Sequence, residues 1–127
     1  MEFQDICFIT DDVPALVRFY ETLFATKGEG DAIHSTLCAG GLHLAIYNKG
    51  AAIQDMGFDL DGAGTGLMTV GFGVDDADEA CARIRAMNLC PTTEPTLWPW
   101  GAKSFRLCDP DGNVLVFRSI PKLEQST

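Results

Sequence analysis

Apolar and polar residues alternate on both sides of a short turn sequence near the end of the chain, Asp-Pro-Asp-Gly-Asn at residues 109–113. Such a period of two predicts a pair of β-strands with one buried and one open face. Pro110 presets the φ angle of the turn, and Gly112 tolerates a positive φ. The apolar face comprises Phe105, Leu107, Leu115 and Phe117. The opposite face comprises Ser104, Arg106, Cys108, Val114, Val116 and Arg118.

An internal repeat precedes this hairpin, because residues 6–13 match residues 70–77 in pattern. Both segments predict a short strand that leads to an Asp-Asp helix start, where an aspartate can cap the free N–H groups. Apolar residues spaced three and four apart predict the helices that follow. These residues are Leu16, Phe19, Tyr20, Leu23 and Phe24 in the first helix, and Ala80, Ile84 and Met87 in the second. We expect the first helix to end at Lys27-Gly28 and the second near Asn88.

A second hairpin is predicted from residues 33–38 and 42–47, which flank Gly40-Gly41. Such a turn pairs Cys38 with His43 and His34 with Tyr47, so that these side chains share the open face. The predicted order is βαβββ, a linker and βαβββ again. We assign module one to residues 1–48, the linker to 49–65, module two to 66–120 and a polar tail to 121–127. The glycine-rich linker is interpreted as a tether or as a loop that contacts a ligand.

The tandem βαβββ modules, the paired strand–Asp-Asp–helix segments and the final Asp-Pro-Asp-Gly-Asn hairpin resemble the vicinal oxygen chelate superfamily. This superfamily includes glyoxalase I, extradiol dioxygenases and bleomycin-resistance proteins. The resemblance covers nearly the whole chain. It implies a single α+β domain over residues 1–127, with curved sheets around a shared cavity. It also implies a homodimer, in which the two chains sometimes exchange modules.

The composition narrows the choice of partners and location. The 127 residues carry a formal net charge of −9, which disfavours nucleic acid and anionic membrane surfaces. The chain shows neither a secretory signal pattern nor an apolar run of about 20 residues, so a cytoplasmic protein is expected. Five cysteines without C-x-x-C spacing indicate free thiols in a reducing compartment.

The resemblance implies four inward positions at which metal-dependent members carry their ligands. In this sequence they are Asp5, His43 (or Ala45 if the register shifts by one residue), Thr69 and Val116. Val116 has no donor atom and Thr69 is a weak neutral donor, whereas such a metal usually needs three or four donors. No cofactor is therefore expected, which argues against a metal-dependent enzyme. The alternative roles are pairing of His43 with Cys38, and pairing of Asp5 with an arginine.

Two tryptophans surround a proline in Trp98-Pro99-Trp100-Gly101. On an extended segment Trp98 and Trp100 share a face and could form an aromatic platform, although either could instead fill the core or a dimer interface. Gly71 and Gly73 either leave room for a ligand or relieve strand curvature. The resemblance implies capture of a planar or cationic small molecule, as in the antibiotic-resistance branch. The candidate ligand-binding residues are His43, Tyr47, Thr69, Gly71, Gly73, Trp98, Trp100 and Arg106.

The leading hypothesis is a metal-free protein that binds a small molecule, such as an antibiotic, by sequestration. The alternative is a divalent-metal-dependent lyase, isomerase or dioxygenase, or a metal-free isomerase or lyase, that uses Asp5 and His43. A third hypothesis is a dimer that binds a macromolecular partner and no small ligand. The catalytic residues are unknown, because the sequence contains no nucleophile–base motif beyond the predicted Cys38–His43 pair.

Overall fold

The computed structural model describes residues 1–61 and 68–121, and the chain divides into two compact units, Met1–Gly66 and Leu67–Thr127. Residues 62–65 of the predicted linker and 122–127 of the predicted tail lie outside the described residues. The first unit contains β1 (Ile6–Thr10), α1 (Val13–Phe24), β2 (Glu29–Gly30), β3 (His34–Ala39), β4 (Leu42–Asn48) and α2 (Lys49–Gln54). The second contains β5 (Thr69–Gly73), α3 (Ala77–Ala86), β6 (Thr96–Leu97), β7 (Lys103–Cys108) and β8 (Val114–Ser119).

Each unit builds one four-stranded mixed sheet. The strand orders are β1-β4-β3-β2 and β5-β8-β7-β6, so the two halves share one topology. In each sheet the first strand pairs in parallel with the last strand of its unit, and the other pairs are antiparallel. These sheets confirm the predicted α+β fold of two βαβββ repeats. No helix within residues 1–61 and 68–121 is long and apolar enough to cross a bilayer.

The repeated Asp-Asp segments start the helices as predicted. The Asp12 carboxylate accepts from the backbone N–H of Ala15 at 3.1 Å, and Asp76 accepts from that of Glu79 at 3.2 Å. The predicted end of the first helix was wrong, because α1 already ends at Phe24. Ala25 adopts a left-handed conformation with φ 50°, and its N–H donates to carbonyls of the last turn. Glycine is the usual residue at such a cap, so the sequence offered no clear stop signal here.

The predicted linker begins with a helix that the sequence analysis missed. Helix α2 follows β4 directly, and the side chain of Asn48 caps it by accepting from the backbone N–H of Ala51 at 3.0 Å. Ala52 is fully buried within the first unit, which explains why a segment with a glycine in its first turn is helical. Burial of one small side chain and a good N-cap outweigh the low helix propensity of glycine.

The core of the second unit lies between its sheet and α3, which packs on β7 and β8. Three phenylalanine rings stack across neighbouring strands on this side. Phe117 lies 5.3 Å from Phe72 and 5.0 Å from Phe105, measured between ring centroids. Phe105 and Phe117 are buried. Because side chains alternate along a strand, the residues between them point to the opposite face of the sheet.

Two turns of the same construction hold the ends of β7, at residues 98–102 and 109–113. In the second turn the N–H of Gly112 donates to the carbonyl of Asp109 at 2.9 Å, and the N–H of Asp109 donates to the carbonyl of Asn113 at 3.0 Å. In the first turn Gly101, Trp98 and Ala102 repeat these bonds at 2.9 and 2.9 Å. Each glycine has a positive φ, 94° and 87°, and each follows Pro-x. Such a three-residue loop requires glycine at its last position.

The buried carboxylate of Asp109 organises the last turn. Its Oδ1 accepts from the backbone N–H groups of Asp111 and Asn113, each at 2.9 Å. Its Oδ2 accepts from the side-chain amide of Asn113, also at 2.9 Å. The residue is 4% exposed, so these donors have little access to water if the carboxylate is removed.

Replacing Asp109 with alanine should lower the free energy of unfolding by about 1–3 kcal/mol, because buried donors of the turn lose their acceptor. The measurement is urea denaturation. Asp111→Ala is the matched control: this exposed carboxylate lies in the same turn, and we expect a change within about 0.5 kcal/mol. If Asp109→Ala lowers the free energy of unfolding no more than Asp111→Ala does, the carboxylate of Asp109 does not organise the turn.

Candidate functional site

The face of the second sheet that points away from α3 is called the open face. Its side chains are exposed or half-buried, as the strand alternation predicts. They belong to Thr69, Gly71, Gly73, Thr96, Ser104, Arg106, Cys108, Val114, Val116 and Arg118. Across the strands, one row pairs Gly73 with Arg118 and Arg118 with Ser104. The next row pairs Gly71 with Val116 and Val116 with Arg106.

Trp98 and Trp100 form a parallel pair of rings at one end of this face, here called the indole pair. Their centroids lie 5.2 Å apart and their planes differ by 2°. The Nε1–H of Trp98 donates to Ser104 Oγ at 2.9 Å, which ties this ring to the open face. Trp98 is 37% exposed and Trp100 is 73% exposed. Neither ring fills the core of the chain.

The expectation of an extended segment around the tryptophans was wrong. Pro99 and Trp100 lie inside the tight turn that joins β6 to β7, and Gly101 closes it. The turn folds Trp100 back over Trp98, so the rings stack on each other instead of lying side by side along a strand. The more exposed ring, Trp100, provides the outer face of the pair that solvent can reach.

The two strand glycines differ in what surrounds them. A Cβ at position 71 would lie 3.5 Å from Nη1 of Arg118, so the guanidinium extends over Gly71. A Cβ at position 73 would meet nothing within 4 Å in the part of the chain that the structure describes. Gly71 therefore makes room first of all for an arginine of the same sheet, whereas the space above Gly73 is open.

In the first unit, β3 and β4 pair as the Gly40-Gly41 turn predicts. Cys38 lies opposite His43, with Sγ 3.2 Å from Nδ1, and His34 lies opposite Tyr47, with perpendicular rings 5.5 Å apart. These four side chains share the face of the first sheet that points away from α1. The contact between Cys38 and His43 supports the structural role that the sequence analysis offered for His43.

The predicted ligand-binding residues thus fall into two groups. His43 and Tyr47 share a face of the first sheet. The other six lie on or beside the open face of the second sheet, with Thr69 in the row farthest from the indole pair. Sequence reasoning assigned no ligand role to Ser104 and Arg118. Alternation with Phe105 and Phe117 already placed both residues on the open face in the sequence, but it did not distinguish them from the other residues of that face.

The residues at the four family-equivalent metal positions do not fit a metal ion. Val116 offers no donor atom and lies opposite Gly71, and Thr69 lies opposite Val114. His43 is already in contact with the Cys38 thiol, and Asp5 precedes β1. Within residues 1–61 and 68–121, no group of three or more His, Cys, Asp or Glu residues could hold a metal ion.

Cys7 lies in β1, beside β4, where it faces Ala45 in the register of the sheet. Partial burial of its thiol raises the pKa of Cys7 above the ordinary value, and the negative charge of Asp5 raises it further. A raised pKa lowers the fraction of reactive thiolate at neutral pH.

A scan against protein families matches residues 3–117 to the Glyoxalase/Bleomycin resistance protein/Dioxygenase superfamily. The chain therefore belongs to this superfamily, which confirms the resemblance of its sequence pattern. No curated protein matches the chain.

Solved structures share the fold. A glyoxalase/bleomycin resistance protein/dioxygenase from Nocardioides is 22% identical with a TM-score of 0.82, covering 100% of this chain and 87% of that one. Lactoylglutathione lyase from Agrobacterium tumefaciens is 20% identical with a TM-score of 0.72, covering 93% and 92%. A family enzyme from Burkholderia phytofirmans PsJN is 19% identical with a TM-score of 0.75, covering 91% and 96%. At these identities the likeness shows the fold alone.

Replacing Asp5 with asparagine should lower the pKa of the Cys7 thiol, because a neighbouring negative charge is removed. At a fixed pH near neutrality, Cys7 should then react faster with iodoacetamide. The rate is measured residue by residue with mass spectrometry, and Cys90, an exposed thiol of the other unit, serves as the internal control. An unchanged rate at Cys7 together with an unchanged rate at Cys90 would contradict the electrostatic effect of Asp5.

Proposed function

We propose that this protein binds a planar small molecule and acts by sequestration, without a metal and without changing its ligand chemically. The observation that carries the proposal is the solvent-exposed indole pair. Parallel rings with an open outer face can take a further flat ring by stacking, and a bound antibiotic or metabolite with fused rings fits this geometry. Superfamily membership supports a protein of the glyoxalase/bleomycin-resistance type.

The indole pair is well suited to binding because its rings are held before a ligand arrives. Trp98 is fixed by its hydrogen bond to Ser104, and Trp100 is fixed by the turn and by stacking on Trp98. A ring that is already immobile loses little conformational entropy when a ligand stacks on it. A 73% exposed indole also leaves a large apolar surface in water, which a stacked ligand would cover.

The alternative is a metal-dependent lyase, isomerase or dioxygenase of the same superfamily. It requires a donor set that Thr69 and Val116 do not supply, so the site supports it less well. The Cys38–His43 contact does support a metal-free reaction in one respect, because an imidazole can accept a thiol proton. Metal removal and addition separate sequestration from the metal-dependent alternative.

We further propose that the protein is a cytoplasmic homodimer. Five free cysteines support a reducing compartment, since secreted proteins of this size commonly oxidise their thiols. Superfamily membership supports pairing of two chains. Sedimentation of the purified protein measures the second point, and a mass equal to one chain would contradict it.

Trp100→Ala should weaken ligand binding by about 1–3 kcal/mol, roughly 5- to 150-fold in Kd, because the stacking surface is lost. Trp100→Phe is the matched control and should retain most of the affinity. The readout is quenching of intrinsic fluorescence, and because the chain has two tryptophans, both in the indole pair, the signal reports on this site. Bleomycin, a planar cationic dye, a naphthalene carboxylate and a catechol are the probes. If none of them quenches the wild-type protein saturably, the proposal fails.

Divalent metals should leave probe binding unchanged, because the family-equivalent positions lack donors. The titration is repeated after treatment with a chelator and after addition of Ni²⁺, Zn²⁺, Mn²⁺ or Fe²⁺. The metal content of the purified protein is measured in parallel. A stoichiometric ion whose removal abolishes binding would contradict the proposal and support the metal-dependent alternative.

A further inference from the structure

The open face of the second sheet has a charge opposite to that of the whole chain. The chain has 18 acidic and 9 basic residues, for a net charge of −9. None of the side chains that the four strands place on the open face is acidic, whereas two of them, Arg106 and Arg118, are arginines. The resemblance to the antibiotic-resistance branch implied a planar or cationic ligand, but the local charge of the open face favours an anion.

Neither arginine forms an ion pair with any residue that the structure describes, although three other basic side chains do. Arg118 extends over Gly71, where the absence of a side chain leaves its guanidinium against the sheet. The backbone of Arg106 is fixed on both sides, since its N–H donates to Thr93 Oγ1 at 3.0 Å and its carbonyl accepts from Thr92 N–H at 2.8 Å. Both arginines are exposed residues of paired strands, and neither charge is neutralised by a described carboxylate.

Ser104 connects these charges to the indole pair. It lies directly opposite Arg118 in the sheet, and its hydroxyl accepts from the Trp98 ring at 2.9 Å. One lone pair of the hydroxyl is thereby used, while its own proton remains available to a further acceptor. A flat ligand on the indole pair would hold a ring substituent close to Ser104, on the face that also carries Arg106 and Arg118. The polar groups at this position are donors, so they match a substituent that accepts hydrogen bonds.

The net charge of −9 does not oppose this arrangement strongly. At physiological ionic strength the Debye length is about 8 Å, so distant carboxylates of the exposed surface are largely screened. A contact between a guanidinium and a carboxylate is short and bidentate, and it is strengthened further when a stacked ring excludes water from one side. Local geometry therefore decides the preferred charge of a ligand.

We propose that the ligand of this face is a planar aromatic molecule that carries an anionic group such as a carboxylate. The ring stacks on the indole pair and the Ser104 hydroxyl donates to the anionic group. Arg118, which lies opposite Ser104 in the sheet, turns its exposed guanidinium from Gly71 to meet this group, and Arg106 supports it from the neighbouring row. This inference rests on the proposed function, because it assigns the charge of the ligand that the indole pair captures.

Three probes with the same ring test the proposal: 2-naphthoate, 2-naphthamide and 2-naphthylmethylammonium, titrated calorimetrically at neutral pH. The full-length protein should bind the carboxylate about fivefold to tenfold more tightly than the amide, and the amine most weakly. Arg118→Gln should remove the advantage of the carboxylate over the amide. Arg106→Gln should reduce that advantage by a smaller factor, because this residue lies one row farther from Ser104.

The matched control is Arg83→Gln, which removes the same charge from the solvent-exposed surface of α3. It should change none of the three affinities. An effect equal to that of Arg118→Gln would show that the preference for the carboxylate depends only on the net charge of the protein. If the amide or the amine binds as tightly as the carboxylate, the charge assignment is overturned while the stacking site stands. If none of the three naphthyl probes binds, this inference fails, and the proposed function fails with it only if bleomycin, the planar dye and the catechol also give no saturable quenching. If Trp100→Ala weakens binding of all three probes by the same factor, the naphthalene ring of each probe stacks on the indole pair.

Discussion

The register of β7 is the constraint on which both sides of the second sheet depend. Turns of one sequence pattern, x-Pro-x-Gly-x, close the chain at each end of this strand and pair it with β6 and β8. A shift by one residue would exchange the buried Phe105 for Arg106 and place an arginine against α3. The cost of burying that charge unpaired is far larger than any gain from an alternative pairing. The core and the open face are thus specified together.

The two units reach the same arrangement with different turns. Gly40 and Gly41 both have positive φ and form a two-residue loop between β3 and β4. The corresponding loop of the second unit has one residue more and depends on the buried carboxylate of Asp109. Both turns keep apolar side chains toward the helix and polar ones away from it. Repeated topology therefore does not require repeated turn chemistry, as long as the loop length and the pairing agree.

Features set within one helix start or one hairpin could be predicted from the sequence, and features set between strands that are far apart in the chain could not. The caps at Asp12 and Asp76 and the pairing of Cys38 with His43 follow from local chemistry, and the structure has all three. The turn at residues 98–102 was missed although its pattern repeats that of residues 109–113, because an extended reading of the tryptophans also accounted for their spacing. The position of the Arg118 guanidinium over Gly71 depends on cross-strand neighbours, which only a known register identifies.

Membership of the superfamily determines the fold, whereas the chemistry of the site depends on a few side chains that alternate along the strands. In this chain, threonine and valine occupy places where a metal-dependent relative needs donors, and the open face instead combines two arginines, a serine hydroxyl and exposed indoles. Indole faces attract cations rather than anions, so the rings alone would not select an anionic ligand. Arginines on the same face would do so, because a guanidinium discriminates between an acceptor and a cation at contact distance. In the proposed site, the preference for an anionic ligand therefore comes from Ser104 and the arginines of the open face, and the net charge of the chain has little influence on it.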